Sequence, residues 1–156
     1  MELQGKVKLK FGGPEHGWLD MTLSCGEFQL KLDISDVPVD SLDLMRIAIL
    51  NLSNEYYNAY GIQEVILHLE PTCYYLDFER NNENYRISIS TSEDYNNGKK
   101  THLHSISGTF NDIIMPVYRG LMEFYSFNYQ EPNWRATDRR LIEKLKAEIK
   151  TVHNNT

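Results

Sequence analysis

The sequence has little of what marks a disulfide-bonded or membrane protein. It contains only two cysteines in 156 residues. Cys25 and Cys73 each lie in a strand-like segment, so we expect two buried free thiols in a reducing compartment. There is no run of about 20 apolar residues, and the first ten residues lack an apolar stretch of signal-peptide length. We therefore expect a cytoplasmic protein that neither spans nor binds a membrane.

Known catalytic motifs are also missing. The chain has no nucleophile elbow, no glycine-rich phosphate loop, no His-Glu-x-x-His motif and no Cys-x-x-Cys motif. Cys73 has no cationic neighbour in the sequence that would lower its thiol pKa. The sequence therefore favours a protein without a catalytic residue, a metal or a cofactor.

The composition is typical of a globular protein. Hydrophobic residues make up 41% of the chain and charged residues 24%. A chain of this length can bury roughly two thirds of its unfolded surface without disulfides or metals. No linker, repeat or low-complexity tract divides the sequence, so we predict a single domain over residues 1–156.

Alternation of apolar and polar residues predicts two groups of strands. The first group comprises residues 7–11, 19–25 and 28–34, with Gly26 forming a tight hairpin between the last two. The second group comprises residues 65–69, 74–78, 85–89 and, with a poorer pattern, 102–108. Asparagine-rich turns are expected at 81–84 and 96–98.

Helical spacing predicts three helices, at about 41–52, 112–127 and 137–152. Asp40 or Ser41 caps the first, and Pro116 is expected in the first turn of the second, where a missing amide hydrogen costs nothing. Short turns between consecutive strands imply antiparallel pairing. The predicted fold is an α+β domain with an antiparallel sheet of six to seven strands packed against three helices, in the order βββ-α-βββ(β)-α-α.

The charge distribution points to a protein partner. Residues 15–94 carry fifteen acidic side chains against four basic ones, a balance of −11, whereas residues 135–156 have a balance of +3. An acidic body repels nucleic-acid phosphates and attracts basic surfaces. We expect no nucleic-acid binding and a partner with a basic surface.

Six residues are the candidate partner contacts: Asp33, Asp36, Asp40, Asp43, Tyr56 and Tyr57. The four aspartates form a dense acidic cluster, although turn and helix-cap chemistry also explains that stretch. Tyrosine is abundant, with ten copies. Exposed tyrosines beside acids suit protein contacts because the ring adds apolar area and the hydroxyl keeps a hydrogen bond, although core packing explains some of them equally well.

The pair His102 and His104 suggests an alternative. Residues two apart on a regular strand point to the same side, so two imidazoles could share a metal ion in a small hydrolase. A metal site would need further ligands, and no spacing in the sequence supplies them. Two exposed histidines beside a loop are the simpler interpretation.

The segment from Glu70 to Arg80, followed by residues 85–89, resembles a loosely defined group of small bacterial proteins. In that group a start like Trp18-Leu19-Asp20, a helix like residues 42–52 and a late aromatic segment like residues 129–134 occur in the same order. The resemblance covers most of the chain and implies no catalytic residue. Such proteins are often regarded as immunity proteins, which neutralise a bacterial toxin by covering its working surface.

These observations lead to one main hypothesis and two alternatives. The main hypothesis is a non-catalytic immunity protein that covers a basic toxin. The alternatives are the metal-dependent hydrolase and a structural module that forms a homodimer through the apolar helix at residues 113–127.

Overall fold

The computed structural model describes residues 2–95 and 98–155, and the turn expected at 96–98 falls partly outside them. The strands are β1 (Glu2–Gln4), β2 (Lys8–Phe11), β3 (Trp18–Cys25), β4 (Phe28–Ser35), β5 (Gln63–His68), β6 (Cys73–Asn81), β7 (Asn84–Ser92) and β8 (Thr101–Gly108). The helices are α1 (Ser41–Ser53), α2 (Phe110–Tyr125) and α3 (Arg139–Asn154), and a short 3₁₀ turn spans Tyr57–Ala59. None of the helices within the described ranges is long and apolar enough to cross a membrane.

The strands form one sheet in the order β1-β8-β7-β6-β5-β4-β3-β2. All neighbours are antiparallel except β1 and β8. The α+β class, the antiparallel sheet and the three helices are confirmed, with eight strands in place of six or seven. The extra strand is β1, which has only Leu3 as an apolar residue and is held by its pairing with β8.

The sheet curls around its helices. Strands β1 and β2 lie at opposite edges of the sheet, yet only residues 5–7 separate them in the chain. Three residues span at most about 10 Å, so the two edges must approach each other. Helix α2 fills the concave side against β2, β7 and β8, and α1 packs on β5 and β6.

Pro116 lies deeper in α2 than the sequence suggested. The helix starts at Phe110, because Thr109 and Asp112 form a reciprocal capping box, so Pro116 is in the second turn and the first-turn prediction is wrong. Proline has no amide hydrogen to give to the carbonyl four residues earlier, which is that of Asp112. The Val7 amide donates to this carbonyl instead, at 2.9 Å, and ties the β1–β2 connection to the helix.

The apolar side of α2 is covered by the chain itself. Ile113, Ile114, Val117, Leu121 and Phe124 are all at most 4% exposed. A homodimer through this helix, as the sequence suggested, would require the domain to open. The structure therefore contradicts the predicted dimer seam.

Gly120 allows α2 to touch the edge strand β2. A Cβ atom at this position would lie 2.8 Å from the Leu9 carbonyl oxygen and 3.1 Å from the Leu9 side chain. Helix propensity alone would make Gly120→Ala stabilising by about 1 kcal/mol. We expect the clash to reverse the sign and lower the free energy of unfolding by about 1–3 kcal/mol, measured by urea denaturation.

The exposed neighbour Arg119 provides the control for this variant. Arg119→Ala changes a side chain on the same turn without a new contact, and its effect should stay within about 0.5 kcal/mol. A Gly120→Ala variant more stable than the parent protein would show that α2 can move away from β2.

Candidate binding surface

One continuous rung of paired residues crosses five strands. Trp18 pairs with Ser35, Ser35 with His68, His68 with Cys73, and Cys73 with Ser92. All five strands therefore begin or end at the same edge of the sheet. The segments beyond this rung, residues 12–17, 36–40, 69–72 and 93–95, are called the acidic rim below.

The acidic rim is strongly negative. Its segments contain no lysine or arginine, and its six carboxylates are Glu15, Asp36, Asp40, Glu70, Glu93 and Asp94. Four of these side chains are on exposed residues; Asp36 is buried and Asp40 is half-buried. Six like charges at one edge create a field that attracts a basic surface and repels an acidic one.

Large apolar side chains are exposed at the same edge. Val37 and Tyr95 lie in the acidic rim, with 54% and 50% of their surface exposed. Trp18, which starts β3 on the rung, is 37% exposed. Aromatic side chains surrounded by polar groups are typical of the centres of protein interfaces.

Local backbone geometry holds two rim segments together. Gly17 has a φ of +82°, and a Cβ atom there would lie 2.8 Å from the Asp36 Oδ1 atom. The Asp36 amide donates to the Gly17 carbonyl at 2.9 Å. Asp36 is only 5% exposed, so the structure gives it a position beneath the surface, packed over Gly17.

The segment between α2 and α3 supports the acidic rim from behind. The Gly17 amide donates to the Asn133 carbonyl at 2.9 Å, and an Arg135 Nη2 hydrogen bond at 2.9 Å reaches the Pro38 carbonyl. Trp134, between these two residues, is 1% exposed and packs edge-on against Phe124. The position of the acidic rim thus depends on this buried indole.

Asp40 is the cap of α1. Its Oδ1 atom accepts the Leu42 and Asp43 amides at 3.1 and 3.4 Å. Burial is the largest influence on this carboxyl and raises its pKa, while the two amides lower the pKa. The Trp134 indole acts on the pKa as a weak donor although its N–H makes no hydrogen bond to a described residue, so the contact is an approach rather than a bond.

Asp43 is committed to a neighbour within the helix. Its Oδ1 atom accepts a hydrogen bond from Arg46 Nε at 2.8 Å, and the Arg46 side chain is only 7% exposed. The Asp43 side chain remains 46% exposed. A partner could reach this carboxylate only from the side away from Arg46.

Asp33 lies one step inside the sheet, on the face away from the helices. It pairs directly with Asp20, so two carboxylates stand opposite each other across β3 and β4. Like charges in this position destabilise a sheet. Asp20 was missed at the sequence level, because its pairing with Asp33 follows from the register, and the next rung carries Lys10 and Lys31, which marks the limit of the acidic surface.

Tyr56 and Tyr57 lie far from the four aspartates. They follow the C-terminal end of α1, whose 13 residues are about 20 Å long. The Tyr57 ring stacks on the Arg80 guanidinium at 3.9 Å and its hydroxyl bonds to Asn82, whereas Tyr56 is 69% exposed. The six candidate residues therefore do not converge on one surface.

His102 and His104 face opposite sides of the sheet. An irregularity in the β7–β8 pairing places His104 opposite the buried Ile89 and His102 opposite Ser90 on the other face. The His104 ring packs against Phe28 at 4.4 Å, and His102 Nε2 lies 2.9 Å from the Ser105 hydroxyl. Two imidazoles on opposite faces cannot share a metal, so the structure contradicts this predicted site.

One cysteine–histidine contact occurs on the rung. Cys73 Sγ lies 3.5 Å from His68 Nδ1, and both residues are at least 96% buried. Burial raises the thiol pKa and lowers the imidazole pKa, so both groups are neutral near pH 7. An ionised nucleophile is not favoured here. Both cysteines are free and buried, as predicted, and no cluster of three or more potential metal ligands occurs in residues 2–95 and 98–155.

Comparisons with known proteins give one distant structural likeness. No protein-family model matches the sequence, and no curated protein matches it. Among solved structures, the chain is similar to a chain of the CdiA-CT/CdiI toxin and immunity complex from Enterobacter cloacae, with a TM-score of 0.38 and 8% sequence identity over 96% of this chain and 99% of that chain. A likeness this distant does not define a partner or a function for the present chain.

Proposed function

We propose that the protein is a non-catalytic binding module whose acidic rim covers a basic surface of another protein. The observation that carries this proposal is the coincidence, at one edge of the sheet, of six carboxylates without a lysine or arginine and three exposed large apolar side chains. The carboxylates would speed the encounter with a basic partner, and Trp18, Val37 and Tyr95 would supply the apolar contact.

The role we propose for such a module is that of an immunity protein. A toxin that acts on nucleic acid has a basic working surface, and an acidic protein that covers this surface blocks the substrate. Asp40 and Asp43 lie beside the acidic rim and Asp33 one step inside the sheet. Asp36 would act indirectly, through the shape of the loop. Tyr56 and Tyr57 belong to the opposite end, and we propose them as contacts only for a partner that also extends along α1.

Co-expression with the product of the neighbouring gene tests the proposal. We expect the two proteins to copurify at low salt, the complex to weaken as the salt concentration rises, and cells that produce the neighbour to survive only when this chain is present. Neither copurification nor protection of the cells would end the immunity hypothesis. Copurification without protection would keep the binding module and remove the toxin.

A further inference from the structure

A small cavity lies where the N-terminal ends of α1 and α3 meet. It has a volume of about 250 Å³. Its lining residues are Asp40, Asp43, Arg46, Tyr125, Arg135, Ala136, Thr137, Asp138 and Leu141. Pockets for drug-sized ligands typically measure about 300–1,000 Å³, so this one suits a ligand with only a handful of heavy atoms.

Arg46 brings hydrogen-bond donors to the inner end of the cavity. Only 6% of the residue is exposed, and its one hydrogen bond to a described residue runs from Nε to Asp43. The two terminal nitrogens of the guanidinium carry four further hydrogens in a planar fork. Such a fork matches the two oxygens of a carboxylate.

Tyr125 brings a second buried donor. The residue is 4% exposed, and its hydroxyl makes no hydrogen bond to a described residue. Asp40, Asp43 and Arg46 all act electrostatically on the phenol, which places the hydroxyl among them. Burial raises its pKa, so the hydroxyl keeps its proton and remains a donor at neutral pH. A buried polar group without a partner needs an explanation, and a ligand that accepts its hydrogen bond provides one.

Acidic groups surround the outer end of the cavity. The side chains of Asp43 and Asp138 are 46% and 41% exposed. Asp40 uses only its Oδ1 atom to cap α1, so its second oxygen is free to accept a hydrogen bond. Donors therefore lie at the inner end and carboxylates at the mouth, and the nearby acidic rim disfavours a ligand with a net negative charge.

We propose that this cavity binds a small zwitterion of the size of an α-amino acid. The ligand carboxylate accepts hydrogen bonds from the Arg46 fork and the Tyr125 hydroxyl. The ligand ammonium group faces the carboxylates of Asp40, Asp43 and Asp138 at the mouth. The positive ends of the α1 and α3 dipoles add to the attraction for the carboxylate. This binding is separate from the proposed function and does not require a protein partner.

Three probes separate the two halves of the ligand. Glycine carries both charges, sodium acetate only the carboxylate, and methylammonium chloride only the cation. We expect glycine to perturb NMR signals of α1 and the start of α3 in a saturable way, acetate to do so more weakly, and methylammonium to have no saturable effect at equal ionic strength.

Tyr125→Phe is the decisive variant, because it removes a hydroxyl that has no hydrogen bond in the ligand-free protein. We expect it to fold normally and to raise the glycine Kd by about tenfold or more, since a hydrogen bond to a charged group is lost. Tyr118→Phe removes a hydroxyl from the same helix outside the cavity and should leave the Kd unchanged. Equal glycine affinity in the parent protein and Tyr125→Phe, or saturable binding of methylammonium alone, would overturn the proposal, as would the absence of any saturable binding.

Discussion

Trp134→Ala is expected to lower the free energy of unfolding by about 3–5 kcal/mol, the range for removing a large aromatic side chain from a core. Trp134 is 1% exposed and contacts Phe124, which itself packs against Phe11, Tyr125 and Tyr129. Loss of the indole would leave a cavity that the neighbouring rings cannot fill without moving. Urea denaturation followed by circular dichroism measures the change.

The same variant should loosen the acidic rim before the domain unfolds. The neighbours of Trp134 hold two rim segments, Asn133 through the Gly17 amide and Arg135 through the Pro38 carbonyl. Faster amide exchange at Gly17 and Asp36 than in the strands would report this effect. A loss below about 1 kcal/mol would show that the indole is not part of the core.

Trp18→Ala is the matched control, because Trp18 is the chain's other tryptophan and is 37% exposed. We expect a change in stability within about 1 kcal/mol, since the side chain already contacts water. If Trp18 is a centre of the proposed interface, the same variant should weaken binding of the captured partner by tenfold or more. The two tryptophans would then separate the support of the surface from the contact itself.

Hydrophobic periodicity was sufficient for the elements whose stability is local. The alternation from Leu19 to Ile34, interrupted by Gly26, predicted the β3–β4 hairpin correctly, because one face of each strand is buried and the other is wet. Strand β1 could not be predicted in this way. Its three residues are held by pairing with β8, more than a hundred residues away in the sequence.

Two errors came from local rules that distant contacts override. Pro116 was expected in a first turn, but its missing hydrogen bond is compensated by Val7, so the helix tolerates the proline in its interior. His102 and His104 were expected on one face, but the irregular pairing of β8 with β7 turns them apart. Neither Val7 nor the irregularity leaves a signal in the sequence near the affected residues.

The candidate surface was predicted as a charge and not as a place. The excess of acids in residues 15–94 is visible in the sequence. Only the register shows that Glu15, Glu70 and Glu93 lie on loops at the same edge as Asp36 and Asp40. Asp43 could not be recognised as paired, because a buried arginine on a helix is rare and Arg46 was not expected in the interior.

Reversing two exposed charges of the acidic rim is expected to abolish most of the affinity for a basic partner. Glu70 and Glu93 lie on different rim segments and both are exposed, so Glu70→Lys with Glu93→Lys should fold normally. Like charges brought together at an interface cost several kcal/mol. We expect the Kd to rise at least about a hundredfold, that is about 2.8 kcal/mol at 1.4 kcal/mol per tenfold, when measured by calorimetry at low salt.

Glu55→Lys with Glu83→Lys makes the same change in net charge at the other end of the sheet. Glu55 follows α1 and Glu83 lies in the β6–β7 turn, both beyond the opposite ends of the strands. Because screening shortens electrostatic interactions to about 10 Å at 0.1 M salt, this pair should change the Kd less than threefold at that ionic strength. A similar loss of affinity in both double variants would mean that the partner responds to net charge, and the acidic rim would then have no claim to be the contact surface.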